Sequence, residues 1–489
     1  MPVFVHKVIL QTLGKPYLEG RSSMDKRQFL EQTIDAVRNL DISDVISRYI
    51  DLPKRTSGSY LGLCPFHNDT RLGSFVVTPK KGIFKCFSCG VGGDAAKFVA
   101  LFNGMNYVEA IFEIALHERI IDYEDYEEYF TKRRYSKKEV EKIEKMYVEK
   151  DRKKFESNIA DIDTRDKVFN IFLDILKLKN EHREYLKNER KLSDEVIEKR
   201  KYRSCQYATE SFMERFQEAL KKEDIPIKTL ERIPGFFQKQ TKEGWEWTFV
   251  YNKGIFIPIR NAIGKIEGLQ IRRDNKNKWD KRYVWFSSAF ASYNDNFQYG
   301  VSSGSPMDVL YPDKQPNQVL FITEGRFKSE AVIQKIGSVC ISVQGVGNWR
   351  DIDKTIEEAE KVVRKKYPKF RGFTRIYVAY DSDMSYKYQV YKQLKKMSDF
   401  LQEKTDLALY YLHWTEEYKG IDDMLLNSNC SCPKECGKLF TVHRKEYWDK
   451  EYEKQLKKIM EQKGVKNPNA LSQDDLVIGI NIEIEKEKQ

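Results

Sequence analysis

The period of the apolar positions changes several times along the chain, and each change marks a structural element. From Met24, MDKRQFLEQTIDAVRNLDISDVISRYI spaces its apolar residues helically and predicts an amphipathic helix that opens the first module, with residues 1–23 as an extension. Further on, SFVVTP and GIFKCF alternate about a turn at Lys80 to Gly82, which predicts a β-hairpin. Residues 122–165 contain both charges but no Gly or Pro, and read as a charged helical linker. A helical stretch then gives way to WTFVYNKGIFIPIRNAIGKIEGLQIRR, whose alternation and Gly264 turn predict a strand meander. From Gln318 the order becomes strand, helix, strand (QVLFITEG, FKSEAVIQKIG, SVCISVQG, then RIYVAYDSD), the pattern of a parallel sheet. The expected fold is therefore α+β and multidomain. It comprises a cysteine-bearing hairpin module with helices over 24–121, a mixed-sheet basic subdomain over 166–316, an α/β domain over 317–428, and a cysteine-containing segment with a charged tail over 429–489.

Composition narrows the partners. At 489 residues the chain is long enough for roughly three folded units. Hydrophobic residues at 40% and charged residues at 33% describe real cores beneath a heavily charged surface. No run approaches the roughly 18 apolar residues of a membrane span, and MPVFVHKVILQTLGK lacks a cleavage-site pattern, so a cytoplasmic location without membrane contact is expected. A net charge of +11 suits a polyanionic partner, because each cation placed on a phosphate releases a counterion; a solvated Lys/Glu surface carries the same charge. Six of the eight cysteines fall in two tight clusters, which favours metal binding over a disulfide scaffold.

The first cluster is Cys64, His67, Cys86 and Cys89, C-x2-H followed by C-x2-C. Two intervening residues let a short turn aim both side chains at one ion, and four such ligands close a tetrahedral zinc site, which makes it structural. Lys80, Lys81, Lys85, Phe84 and Phe87 surround it with cations and aromatic faces suited to a single nucleic-acid strand, although Phe84 also reads as core. The string CPFHND, the hairpin, CFSCGVGGDAAKFV, the preceding DISDVISRYIDL and the following FNGMNYVEAIFEIALH resemble the zinc-binding domain of DnaG-type bacterial and phage primases. The resemblance implies that this module recognises the template.

The second constellation is Glu324 after VLFIT, with Asp381 and Asp383 after IYVAY. Carboxylates at the carboxyl ends of parallel strands face the crevice where open α/β sheets bind ligands, and they suit magnesium or manganese. TEG and YDSD resemble the TOPRIM domain of the same primases. That implies metal binding by Glu324, Asp381 and Asp383, with Glu324 also as acid/base residue, and by Asp422 of GIDDML ahead of Asp423. Asp383 and Asp422 also read as helix caps. The family often has an acidic residue where this chain has Lys328, which then reads as a phosphate contact and points to a phage- or plasmid-like variant. Matching motifs imply that Arg190, Arg272 and Arg282 form a basic ridge for template and nucleotide phosphates. Arg273 can exchange roles with Arg272, and Lys191 stands where the family usually has glycine.

Cys430, Cys432, Cys436 and His443 form C-x-C-x3-C-x6-H, a candidate second metal site whose irregular spacing also fits free or redox-active thiols. The expected function is magnesium-dependent synthesis of short RNA primers from NTPs on a single-stranded DNA template, with a replicative helicase as partner. A TOPRIM nuclease, or an inactive single-strand-binding replication protein, are the alternatives.

Overall fold

The computed structural model describes residues 25–465 and 468, apart from 57, 68, 70–71, 132–134, 275–281, 290, 292–295, 386–387, 416 and 431. The chain divides into two compact units, Met1–Lys154 and Phe155–Gln489.

In the first unit, helix α1 (Lys26–Arg38) turns Phe29, Leu30, Ile34 and Val37 inward, as its period predicts. The short α2 (Ile42–Ile46) is capped by Asp41, which accepts from the Ser43 backbone N–H. Strands β1 (Lys54–Thr56), β2 (Ser59–Gly62), β3 (Phe75–Thr78), β4 (Ile83–Cys86) and β5 (Gly92–Gly93) form an antiparallel sheet in chain order. The β3–β4 turn closes on Gly82 at φ 62°, a left-handed conformation that favours glycine. Helices α3 (Ala95–Asn103) and α4 (Tyr107–His117) cover the sheet, and a reciprocal Asn106/Glu109 capping box starts α4. Phe84, a stacking candidate by sequence, lies in the core: its ring is 5.4 Å from both Phe75 and Phe98. Tyr126, Tyr129, Phe130 and Tyr135 pack on the same core ahead of α5 (Lys137–Asn158). Lys132, Arg133 and Arg134 lie outside the described residues.

The second unit begins with α6 (Ile162–Ile175), α7 (Asn180–Asn188), α8 (Asp194–Lys199), β6 (Arg203–Ser204) and α9 (Glu210–Lys222). The expected single meander is split. Strands β7 (Phe236–Thr241) and β8 (Gly244–Phe249) pair with β12 (Phe297–Gln298), whereas β9 (Gly254–Arg260) and β10 (Ile266–Arg273) join β6 and β11 (Tyr283–Trp285) in another sheet. The segment Val250–Lys253 breaks the ladder between β8 and β9, and Phe172, Phe236, Phe249, Phe256 and Phe286 fill the core they share.

The α/β layer is a six-stranded sheet in the order β13 (Asp308–Leu310), β15 (Val339–Ser342), β14 (Val319–Thr323), β16 (Arg375–Ala379), β17 (Ala408–His413), β18 (Thr441–Arg444). Its four central strands are parallel and the two edges antiparallel. Both faces are covered, which explains the unbroken apolar strand runs. Leu320 and Ile322 meet α11 (Ile352–Lys366), α12 (Tyr388–Lys404) and α14 (Lys445–Lys463); Phe321 meets α10 (Arg326–Lys335) and α13 (Ile421–Asn427).

A buried clamp ties the basic subdomain to this layer. The Arg326 guanidinium donates to both carboxylate oxygens of Asp308 and to the Pro258 carbonyl on β9, and Asp308 also accepts the Arg260 backbone N–H at 2.9 Å. Glu330, one turn along α10, accepts from Arg200 Nε at 3.0 Å and from the Tyr202 hydroxyl at 3.2 Å.

Candidate functional site

Two sites stand apart in the chain, one in each unit. In the first, β2 leads to Cys64 and His67, while Cys86 ends β4 and Cys89 lies in the turn after it. The four ligand atoms lie within 4.8 Å of one another. A tetrahedral ion bound by sulfurs at about 2.3 Å holds them about 3.8 Å apart. The Cys64 and Cys89 sulfurs are 3.8 Å apart, and Cys86 Sγ is 4.0 Å from His67 Nδ1, so the donor set fits zinc. Hydrogen bonds from Cys64 and Cys89, joined by His67, push the Cys86 thiol far below its ordinary value, toward the thiolate a metal requires.

Sequence reasoning missed Asp69, although it stands in the CPFHND string. One Asp69 oxygen lies 3.9 Å from His67 Nε2, and the other accepts from the Cys64 backbone N–H at 2.8 Å and from the Ser74 hydroxyl. A carboxylate placed in this way orients two ligands at once. Beside the ligands Phe87 is 55% exposed, while Lys85 donates its ammonium to the Gly90 carbonyl at 2.7 Å.

The second site lies at the carboxyl ends of β14 and β16. From β14 the chain passes through α10 to β15 on one side; from β16 it passes through α12 to β17 on the other. This is a topological switch point, where open α/β sheets form their crevice. Thr323 and Ala379 are in register, so the residues that follow each strand meet: the Asp381 backbone N–H donates to Glu324 Oε1 at 2.9 Å. Asp422, buried in the first turn of α13, faces the same space. Asp423 beside it is exposed. Asp383 sits in the 3-10 turn Ser382–Ser385, and its side chain lies outside the described ones.

Cations are built into this centre. Lys328, in the first turn of α10, places Nζ 3.0 Å from Asp381 Oδ1, and Lys419 lies 3.6 Å from Asp381 Oδ2. Burial alone lowers the Lys328 ammonium, but Asp381, Asp422 and Glu324 outweigh it and hold it above the ordinary lysine value. Gly420 lies against all three groups: a Cβ there would abut the Asp422 carboxylate and come within 3.1 Å of Lys328 Cε and 3.3 Å of Asp381 Oδ1.

The structure brings Arg190 into the same centre. Its Nη1 donates to Asp422 Oδ2 at 2.8 Å and its Nε to the Tyr185 hydroxyl at 2.6 Å. Arg272 lies 3.8 Å over the Tyr185 ring, with its buried Nε lacking a hydrogen-bond partner. Tyr185 thus joins two arginines; its place on a charged helix carried no signal of this role. Arg282 precedes β11, and its carbonyl accepts from Arg273 N at 2.8 Å. His182 braces α7 to β10, between Ser204 Oγ at 2.6 Å and Asp274 at 3.0 Å.

The second cysteine cluster is not gathered as a metal site. Cys430 and Cys436 are joined in a disulfide, which leaves neither sulfur as a thiolate, and Cys432 is an exposed free thiol. His443 packs its ring on Trp448, 5.4 Å away, whereas Cys436 is buried in the layer that holds α10 and α13.

Comparison with known proteins gives two family matches, the CHC2 zinc finger of the DnaG zinc ribbon over residues 29–129 and the Domain of unknown function (DUF3854) over residues 313–431. The DNA primase of Aquifex aeolicus is 35% identical over 248 residues, covering 50% of this chain and 41% of that protein. The DNA primase of Geobacillus stearothermophilus is 48% identical over 86 residues, 17% of this chain and 14% of that protein. The matches thus span less than half the length of these curated relatives. Among solved structures, the zinc-binding and RNA polymerase domains of the Aquifex aeolicus primase align over 92% of this chain and 99% of that one, at 21% identity and a TM-score of 0.41.

Proposed function

The chain is a relative of the DnaG-type primases, and from that premise we propose that it synthesises short RNA primers from NTPs on single-stranded DNA. The observation that carries this reading is the meeting of Glu324, Asp381 and Asp422 at the switch point, in a chain that also holds a CHC2 zinc finger. Glu324, Asp381, Asp383 and Asp422 would hold magnesium or manganese, which supplies charge neutralisation on the reacting phosphate oxygens. Glu324 is the acid/base candidate for the primer 3′-hydroxyl proton.

Arg272 supports the reading through its unpartnered Nε: a stacked guanidinium with an open donor is suited to a nucleotide or template phosphate. Arg190 holds Asp422 in place, and Arg282 and Lys328 complete the cationic set around the incoming nucleotide. The zinc finger, with Lys85 and Phe87 on its surface, would grip the template strand. The same reading makes a replicative helicase the neighbouring protein on the template and the bacterial cytoplasm the working compartment, whether the gene is cellular, phage or plasmid. Among the described residues no single helix is long and apolar enough to cross a membrane.

The test is an assay with single-stranded DNA, labelled NTPs and magnesium. Short labelled RNA from the wild-type chain, absent with Asp381→Asn and Glu324→Gln, is the expected result. Nicked DNA without RNA would assign the centre to a nuclease, and strand binding with neither product would leave a non-catalytic replication protein.

A further inference from the structure

The charges around the acidic centre do not balance as a bare carboxylate cluster would. Glu324, Asp381 and Asp422 contribute three negative charges, while the Lys328 ammonium pairs with Asp381 at 3.0 Å and the Arg190 guanidinium with Asp422 at 2.8 Å. Lys328 has a side chain only 20% exposed and Arg190 14%, so both cations are held within the protein, unlike Lys419 at 70%. Among the described side chains this leaves about one net negative charge for a mobile cation to meet. Asp381 Oδ1, to which Lys328 is directed, is buried and has no hydrogen-bond partner, so the ammonium is the group that compensates it. Lys328 is also confined, because Gly420 lies against its Cε and against Asp381 with no room for a side chain.

We propose that the Lys328 ammonium is a built-in cation of the acidic centre that takes the place of one divalent metal ion, so that the centre takes up a single ion. The inference rests on the reading of this centre as metal-binding and adds its stoichiometry. A second divalent ion would bring two further positive charges to a site left with about one negative, at separations where like charges repel strongly in a partly buried setting. One ion bound on the Glu324 side satisfies the remaining charge while Lys328 keeps Asp381 compensated.

The experiment counts Mn2+ bound to the zinc-loaded full chain by electron paramagnetic resonance, with Asp381→Asn subtracting ions held elsewhere. The wild type is expected to bind one ion at this centre, and Lys328→Glu, which replaces the cation by a ligand, two. Lys328→Met keeps the length without the charge and should bind the single ion at least about tenfold more tightly, since a nearby repulsive charge is removed. Lys328→Arg should behave as wild type, and these two variants carry the test where the glutamate variant fails to fold. Two ions in the wild type, or affinity unchanged or weaker in Lys328→Met, would overturn the inference. No ion at all would overturn it together with the metal-centre reading. A chain that makes no primers yet binds one ion with these dependences would fail as a primase and leave the inference standing.

Discussion

Truncating Asp308 to alanine tests the clamp that joins the basic subdomain to the α/β layer. Asp308 is fully buried and accepts from Arg326 Nε, from Arg326 Nη2 at 2.8 Å and from the Arg260 backbone N–H at 2.9 Å. Without it, a guanidinium only 1% exposed keeps the Pro258 carbonyl and a Glu330 oxygen 3.6 Å from Nη1. Removing one partner of a buried pair costs about 3–5 kcal/mol, and because Glu330 still faces part of the charge we expect about 3 kcal/mol. With a urea dependence of about 3 kcal/mol per molar, suited to a unit of this size, the unfolding midpoint falls by about 1 M. The assay is urea unfolding followed through the tryptophans of the α/β layer, among them Trp349, Trp414 and Trp448. Replacing both partners, as Asp308→Leu with Arg326→Met, should recover at least about half the loss, because no charge is then left uncompensated. A loss under about 1 kcal/mol in the single variant, or a double variant less stable than the single, would refute the reasoning.

Four further outcomes are expected. A chromophoric chelator should release one zinc per chain, and the first unit should lose its fold with it, since structural zinc sites contribute about 10–16 kcal/mol; two zincs would refute the disulfide assignment of Cys430 and Cys436. Gly420→Ala should weaken Mn2+ binding at least about tenfold while far-UV circular dichroism stays unchanged, because its Cβ displaces the Asp422 carboxylate. Arg190→Ala should lower primer yield about tenfold or more, by freeing Asp422 from its partner and leaving that carboxylate buried; an unchanged yield would remove Arg190 from the site. Burial, with His413 beside it, pushes the His443 imidazole down to about 4. A base depressed by folding stabilises above its unfolded value of about 6.5, and that contribution is lost as pH falls through the folded value; the wild type should therefore lose about 2 kcal/mol more than His443→Gln between pH 7 and pH 4, measured by urea midpoints.

The features legible in the sequence were those written over short stretches. Two-residue spacings place Cys64 with His67 and Cys86 with Cys89, and the apolar runs of VLFIT and IYVAY announce strands whose ends must carry Glu324 and Asp381. Alternation also found the β3–β4 and β9–β10 hairpins, whose turns lie at Gly82 and Gly264. It could not show that β8 and β9 belong to different sheets, because period reports which face a residue takes and not which strand becomes its neighbour.

What remained belonged to contacts between distant parts of the chain. Arg190 and Asp422 are 232 positions apart, and only the packing of α7 and α13 about the sheet makes them a pair. Lys328 looks like a phosphate contact in the string EGRFKSEA, yet the register of β14 with β16 sets Asp381 beside it. Cys430, Cys432, Cys436 and His443 look like ligands by type, but bonding of two sulfurs to each other and burial of the histidine against Trp448 separate them. Sequence by itself thus determined which chemical groups were present and which short elements carried them. Tertiary structure alone decided which charges compensate one another, because a charge drawn out of water must be met by whatever the fold places within a few ångströms, wherever in the chain it comes from.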